Sequence, residues 1–207
     1  MKTFTKQDQE NLSPADALKI LQEGNQRFCG KNMCSRDLIK QAEETSNGQY
    51  PFGVVLSCID SRVSSELIFD QGIGDIFSVR VAGNVVNEDI LGSMEFGCKV
   101  AGSKVIVVLG HTACGAVKGA CDNVELGNLT HLLKKISPAV ESEKPGVENA
   151  CAANGDFVHK VIVKNVHNAI DTIKSKSPIL NEMDQKGEIK IVGAVHDIAT
   201  GKVSFLS

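Results

Sequence analysis

Two short segments hold the residues that can do chemistry together: Cys58-Ile59-Asp60-Ser61-Arg62 and His111-Thr112-Ala113-Cys114-Gly115. Two thiols and one imidazole make a three-ligand set for zinc. Structural zinc sites normally close with four protein ligands, whereas catalytic sites keep three and leave a position for water. His111 and Cys114 are three residues apart and can share one ion across a turn, while Cys58 arrives from a separate segment. Asp60, two residues after Cys58, can accept a hydrogen bond from zinc-bound hydroxide and aim the oxygen lone pair at an electrophile. Arg62 can grip that carboxylate with two donors and keep it ionised. The backbone amide of Gly115, at the start of a helix, is placed to meet a product anion. An acid–base pair beside a three-ligand zinc predicts chemistry on a zinc-bound water. Zinc lowers the pKa of bound water to about 7 at a three-histidine site. Two thiolates donate more charge, so a more alkaline activity profile is expected here.

Both segments follow apolar runs that read as strands. Phe52 to Ser57 ends at Cys58, and Lys104 to Leu109, apolar without alternation, has the pattern of a buried parallel strand. In open α/β sheets, ligands collect outside the carboxyl ends of strands, where the strand order reverses. Further strands are predicted over Ile76 to Ala82, Glu188 to His196 and, briefly, Val203 to Leu206. Helices are predicted from Ser13-Pro14 onward, over Arg36 to Thr45, Asp89 to Ala101, from Thr112 onward, over Leu126 to Ile136 (ended near Pro138) and over Gly155 to Lys174. The alternation predicts an α/β fold with a mostly parallel central sheet flanked by helices. Residues 1–48 form an N-terminal helical arm, a candidate for packing on another subunit, and residues 49–207 form the α/β core.

Composition fits one domain. The chain has 207 residues, 42% of them hydrophobic, and a formal net charge of -3. That balance carries no footprint for nucleic acid or an anionic membrane surface. Met1 to Leu12 is polar and mixed in charge, and no apolar run is long enough to span a bilayer. Seven cysteines without framework spacing predict metal binding or reduced core thiols in a cytoplasmic protein. Cys29, Cys34, Cys98, Cys121 and Cys151 read as small apolar or surface residues. His131, His159, His167 and His196 lack ligand spacing and read as surface or satisfied core histidines. Gly72-Ile-Gly74 reads as a turn, because the third glycine of a dinucleotide fingerprint is missing.

With these residues in hand, the chain from roughly Gln49 to its C-terminus resembles the β-class carbonic anhydrases. The resemblance rests on Cys58-Ile-Asp60-Ser61-Arg62-Val63 and Gly110-His111-Thr-Ala-Cys114-Gly115. It extends through Gly74-Asp75-Ile-Phe77-Ser-Val-Arg80-Val-Ala-Gly-Asn84, Ser93-Met-Glu95-Phe96 and Asp197-Ile-Ala-Thr-Gly201-Lys-Val203. It implies reversible hydration of CO2 to bicarbonate and a proton, on one Zn2+ held by Cys58, His111 and Cys114, with Asp60 and Arg62 as the catalytic dyad. It implies strand order 2-1-3-4 with the short last strand added, and a homodimer or homotetramer with the active site at the subunit boundary. Gln49, nine residues before Cys58, matches the substrate-side Gln of the family's open subclass, and Phe77 and Phe96 match its aromatic pocket walls. The other subclass, in which bicarbonate favours an Asp-on-zinc state, needs a Trp where this chain has Val55 and a Gly where it has Ser57. An open site with Asp60 off the metal is therefore expected. Val81 departs from the Asn common after the arginine. Two other readings compete: hydrolysis of a related small molecule such as CS2 on the same site, and a non-catalytic structural zinc or bicarbonate-sensing module.

Overall fold

The computed structural model describes residues 3–206. Five strands form one sheet: β1 (Gly53–Ser57), β2 (Ile76–Arg80), β3 (Val105–His111), β4 (Lys190–His196) and β5 (Val203–Phe205). Their order is β2-β1-β3-β4-β5. The first four run parallel and β5 pairs antiparallel with β4. The expected order and the extra C-terminal strand are both present. From β1 the chain crosses to one side for β2 and to the other for β3, so order reverses between β1 and β3. The residues leaving those two strands are Cys58 and, at the last position of β3, His111.

Burial follows this arrangement. Every residue of β1 and β3 is buried, while β2, at the sheet edge, alternates with exposed positions. Side chains along a strand point alternately to the two faces. Val54, Leu56, Ile106 and Val108 meet one apolar cluster, and Val55, Val105, Val107 and Leu109 meet another. The first face is covered by α9 (Gly155–Lys176) and α10 (Pro178–Gln185), through Val166, Ala169, Ile173, Leu180 and Met183. A side chain at Gly110 would come within 2.8 Å of Val166, so the glycine that precedes His111 lets α9 lie directly on β3.

The opposite face is covered by α2 (Pro14–Cys29), through fully buried Ala17 and Leu21. The N-terminal helices are thus fastened to their own sheet, with α1 (Lys6–Glu10) ahead of α2. Gln9 donates to the carbonyls of Pro51 and Ala101, and Asn25 to those of Ile68 and Gly201. α3 (Leu38–Thr45) follows, with Leu38 and Ile39 exposed.

The remaining helices are α4 (Ser65–Ile68), α5 (Glu88–Glu95), α6 (Gly115–Cys121), α7 (Gly127–Leu133) and α8 (Ser137–Glu143). Several boundaries differ from the sequence expectation. α6 starts at Gly115, because Ala113 takes a left-handed φ of 55° that no helix accepts. The helix expected over Asp89 to Ala101 is α5 followed by a wider π-type turn over Phe96–Val100. Pro138 lies in the first turn of α8, where a missing N–H costs nothing, and so opens a helix rather than ending the preceding one. α10 was not anticipated, although Ser177 caps it and Pro178 begins it.

Candidate metal centre

Cys58, His111 and Cys114 converge at the carboxyl end of the sheet. Their ligand atoms all lie within 4.8 Å of one another, and all three residues are buried. Among the described residues this is the one such group of three. His111 places Nδ1 2.9 Å from the carbonyl of Thr112. A carbonyl can only accept, so Nδ1 carries the proton and Nε2 keeps its lone pair. That Nε2 is buried and has no hydrogen-bond partner. An orphaned imidazole nitrogen beside two sulfurs is the donor set of a soft divalent ion, and it fits zinc.

The electrostatics of the two sulfurs agree. The two sulfurs share one proton, which pushes Cys58 far below the ordinary thiol range and Cys114 far above it. One sulfur thus ionises at the expense of its neighbour, and a divalent cation in place of the shared proton lets both do so. Burial opposes the charge on Cys58, while His111 and the Gly83 amide favour it. The Gly83 N–H lies 3.3 Å from Cys58 Sγ. On Cys114, the amides of Ala116 and Val117 in the first turn of α6 favour the thiolate.

Asp60 and Arg62 form a local unit on the loop after β1. Asp60 Oδ1 accepts from Arg62 Nε at 2.9 Å and from the Arg62 backbone amide at 3.0 Å, and Oδ2 accepts from Arg62 Nη2 at 2.7 Å. These bonds hold the Asp60 carboxyl well below the usual carboxylate range, against the opposing effect of burial. Oδ2 lies 4.0 Å from His111 Nε2, which puts an ionised carboxylate at the rim of the ligand cluster. Asp60 is not part of the ligand group itself.

Other predicted residues lie elsewhere. Gly115 is exposed beside Cys114 at the start of α6, with open space around its Cα. Gln49 is exposed and precedes β1, at the end of the sheet opposite Cys58. Phe77 and Phe96 touch edge-on, with ring centroids 6.1 Å apart. They line an exposed groove along the β2 edge with Ser78, Gly92 and Ser93. Phe77 pairs with Val54, three positions along β2 from Arg80, so it too lies toward the far end. A single chain does not bring Gln49, Phe77 or Phe96 to the metal cluster, because the length of β1 separates them from it.

Sequence reasoning missed three contributors. Arg80, at the end of β2, donates to the Cys58 carbonyl at 3.1 Å and to the Asp60 carbonyl at 2.7 Å, clamping the loop that presents both residues. Its position inside the family motif was the available signal. Gly83 supplies the sulfur-directed amide. Its φ is 66°, and a side chain there would meet Ile136 at 2.6 Å. His196 stands beside His111 in the β3–β4 register. It is 3% exposed, neither ring nitrogen has a hydrogen-bond partner, and burial lowers its pKa, so it is a buried neutral ring rather than a satisfied core histidine. His131 and His159 are exposed. Cys98 and Cys121 are buried thiols pushed up to about 12 and about 11 by burial, as inert core cysteines are.

Comparison with known proteins places this geometry. Residues 53–203 match the carbonic anhydrase family model. The chain is 34% identical over 193 residues to carbonic anhydrase 2 of Mycobacterium tuberculosis (strain CDC 1551 / Oshkosh), covering 93% of this chain and 92% of that protein. The structure of the β-carbonic anhydrase CafA of Aspergillus fumigatus superposes with a TM-score of 0.73 at 26% identity, over 93% of this chain and 91% of that one. A β-carbonic anhydrase of Sordaria macrospora, described as tetrameric, shares the fold with a TM-score of 0.70 at 22% identity, over 81% and 90% of the two chains. No helix among the described residues is long and apolar enough to cross a membrane. With its parallel sheet in the same order, its ligand cluster at the switch point and relatives matched over nearly their full length, the chain belongs to the carbonic anhydrase family of lyases, in its β class.

Proposed function

We propose that this chain catalyses the reversible hydration of CO2 to bicarbonate and a proton, using one zinc ion held by Cys58, His111 and Cys114. The observation that carries the reading is the unpartnered, buried His111 Nε2 facing two sulfurs, with an ionised carboxylate 4.0 Å away. Bound there, zinc supplies a water acidified enough to act as nucleophile near neutral pH.

The protein's own residues do the rest. Asp60, kept ionised by the Arg62 fork, accepts a hydrogen bond from the attacking O–H and turns its lone pair toward the carbon of CO2. Arg62 restrains Asp60, and Arg80 restrains the loop beneath it. The engagement of both Asp60 oxygens by Arg62 supports the open arrangement, with the carboxylate off the metal. His111 Nδ1 donates to the Thr112 carbonyl and so keeps the ring in the tautomer that ligation requires. The exposed amide of Gly115 is available to a departing bicarbonate.

Gln49, Phe77 and Phe96 can reach a metal cluster only across a subunit boundary. We therefore infer a homo-oligomer in which a neighbouring copy supplies the CO2-facing wall. The exposed Phe96 and the open β2 edge support that reading. We also place the protein in the reducing cytoplasm, where thiolate ligands survive. The test is stopped-flow CO2 hydration against pH for wild type and Asp60→Ala, with zinc content measured on both. Loss of turnover with zinc retained is the expected result. Wild-type protein that holds zinc without hydrating CO2 overturns the proposal.

A further inference from the structure

We propose that Asn165 is a positioning residue for the metal centre: it holds Gly83 so that the Gly83 N–H stays on the sulfur of Cys58. The proposal rests on the zinc reading above and deepens it. Asn165 Nδ2 donates to the Gly83 carbonyl at 2.9 Å, and the Gly83 N–H lies 3.3 Å from Cys58 Sγ. Two hydrogen bonds thus connect the middle of α9 to a metal ligand that is 107 positions earlier in the sequence.

Three observations make the connection more than satisfaction of a stray carbonyl. Asn165 is 4% exposed in the middle of an apolar stripe formed by Val161, Ile162, Val166 and Ala169. An amide in such a place costs stability unless its bonds are made, so an aliphatic residue is the default there. Gly83 itself has the left-handed φ of 66°, one of several conformations open to glycine, so its own torsions do not fix the direction of its N–H. The Gly83 N–H also has a defined target, because the acceptor within its reach is the sulfur of Cys58, a residue of the ligand cluster. An N–H donated to a ligating sulfur disperses its charge and tunes the bond to the metal. Asn165 is the side chain that holds this donor in register.

The test uses the full-length protein. Asn165→Leu keeps the branched shape and removes the donor, Asn165→Ala removes it without overpacking, and Ile173→Val perturbs the same helix far from Gly83. Zinc affinity is measured by chelator competition, and the cobalt-substituted proteins are compared by their sulfur-to-cobalt charge-transfer absorption. Both Asn165 variants should bind zinc about tenfold more weakly, the low end of outer-sphere effects, and shift the cobalt band. Ile173→Val should lower the melting temperature and leave both readouts in place. Where the Asn165 variants do not fold, the cadmium-113-loaded wild type decides by NMR, since coupling across the Asn165 Nδ2–H···O=C bond to Gly83 is expected together with coupling between the metal and the Gly83 amide proton, and loss of either overturns the proposal. Asn165 variants with wild-type competition curves and cobalt spectra, or a Gly83 amide without cadmium coupling, overturn this proposal alone. Wild-type protein that binds no metal overturns the zinc reading with it.

Discussion

The chain builds two aspartate–arginine clusters ten residues apart, and they serve different ends. Asp70 has a fully buried side chain, with Oδ2 on Arg27 Nε at 2.5 Å, Oδ1 on Arg36, and both oxygens accepting from the Cys34 amide. Its partners come from α2 and from the segment before α3, so the cluster ties the N-terminal helices to the turn after α4. Asp60 has one arginine, two residues away, whose side chain is 52% exposed. A carboxylate enclosed by two guanidiniums and a backbone amide has no face left for a ligand. One held from a single side can still present charge to a neighbouring group. Chemical type is the same in both, and what separates them is how many directions the surrounding fold has already used.

Substitutions can break or sharpen that contrast. The largest effect is expected from Cys114→Ser, which removes a ligand and should bring CO2 hydration down to the uncatalysed background, with zinc absent by metal analysis. Next, Asp60→Asn keeps the shape but not the charge. Hydration should fall by about 100-fold or more with zinc retained, read by stopped flow with metal analysis. Asp70→Asn should do the reverse, destabilising the fold by about 3 kcal/mol in urea unfolding because it takes the charge partner from buried Arg36 and half-buried Arg27, while turnover per zinc stays unchanged. Equal loss of turnover in both Asn variants would erase the distinction.

Acid should expose the same difference. Burial by itself raises the Asp70 carboxyl, but Arg27, Arg36 and the Cys34 amide outweigh it and leave the group below its ordinary value. A depressed folded pKa means the stabilisation is complete above the unfolded value of about 4 and drains away as pH falls from there through the folded value. The stability gap between wild type and Asp70→Asn should therefore narrow below about pH 4, measured as a difference in urea midpoints. The smallest expected effect is that of Arg62→Lys, which keeps the charge and loses the fork. Turnover should drop about tenfold. The acid limb of the rate profile should move to higher pH, because the Arg62 hydrogen bonds are the chief cause of the low Asp60 pKa.

Much of the fold was legible because its signals are local. The unbroken apolar run of β3 admits one reading, and its observed burial at every position agrees. The Ser-Pro signal shows where reading fell short. It predicts the helix start at Ser13-Pro14, and the same dipeptide opens α8 at Ser137-Pro138 and α10 at Ser177-Pro178, where the sequence pattern alone predicts none. There the preceding apolar pattern predicts an ending near Pro138, where the chain in fact begins a new helix. α1 was also missed, although Thr5 and Asp8 make a reciprocal cap. The site divides in the same way. Cys58, Asp60 and Arg62 share one loop, and His111 and Cys114 share one turn, so their spacing limits where they can go. Gln49, Phe77 and Phe96 were assigned to the pocket by resemblance, and one chain leaves them at the other end of β1.

By itself the sequence determined which atoms can bind metal and which carboxylate stands beside Cys58, because His111 and Cys114 lie within a few residues of each other, as do Cys58, Asp60 and Arg62. It also determined the parallel core, through apolar runs too continuous for any half-exposed strand. Only the tertiary structure decided that the two loops meet, since that depends on β1 and β3 being neighbours across the reversal of strand order. The same holds for His196 beside His111, for Arg80 beneath the Asp60 loop and for Asn165 against Gly83. Those contacts join residues far apart along the chain, and the physical reason they escape a linear reading is that sheet register and helix packing, which local pattern does not encode, bring them together.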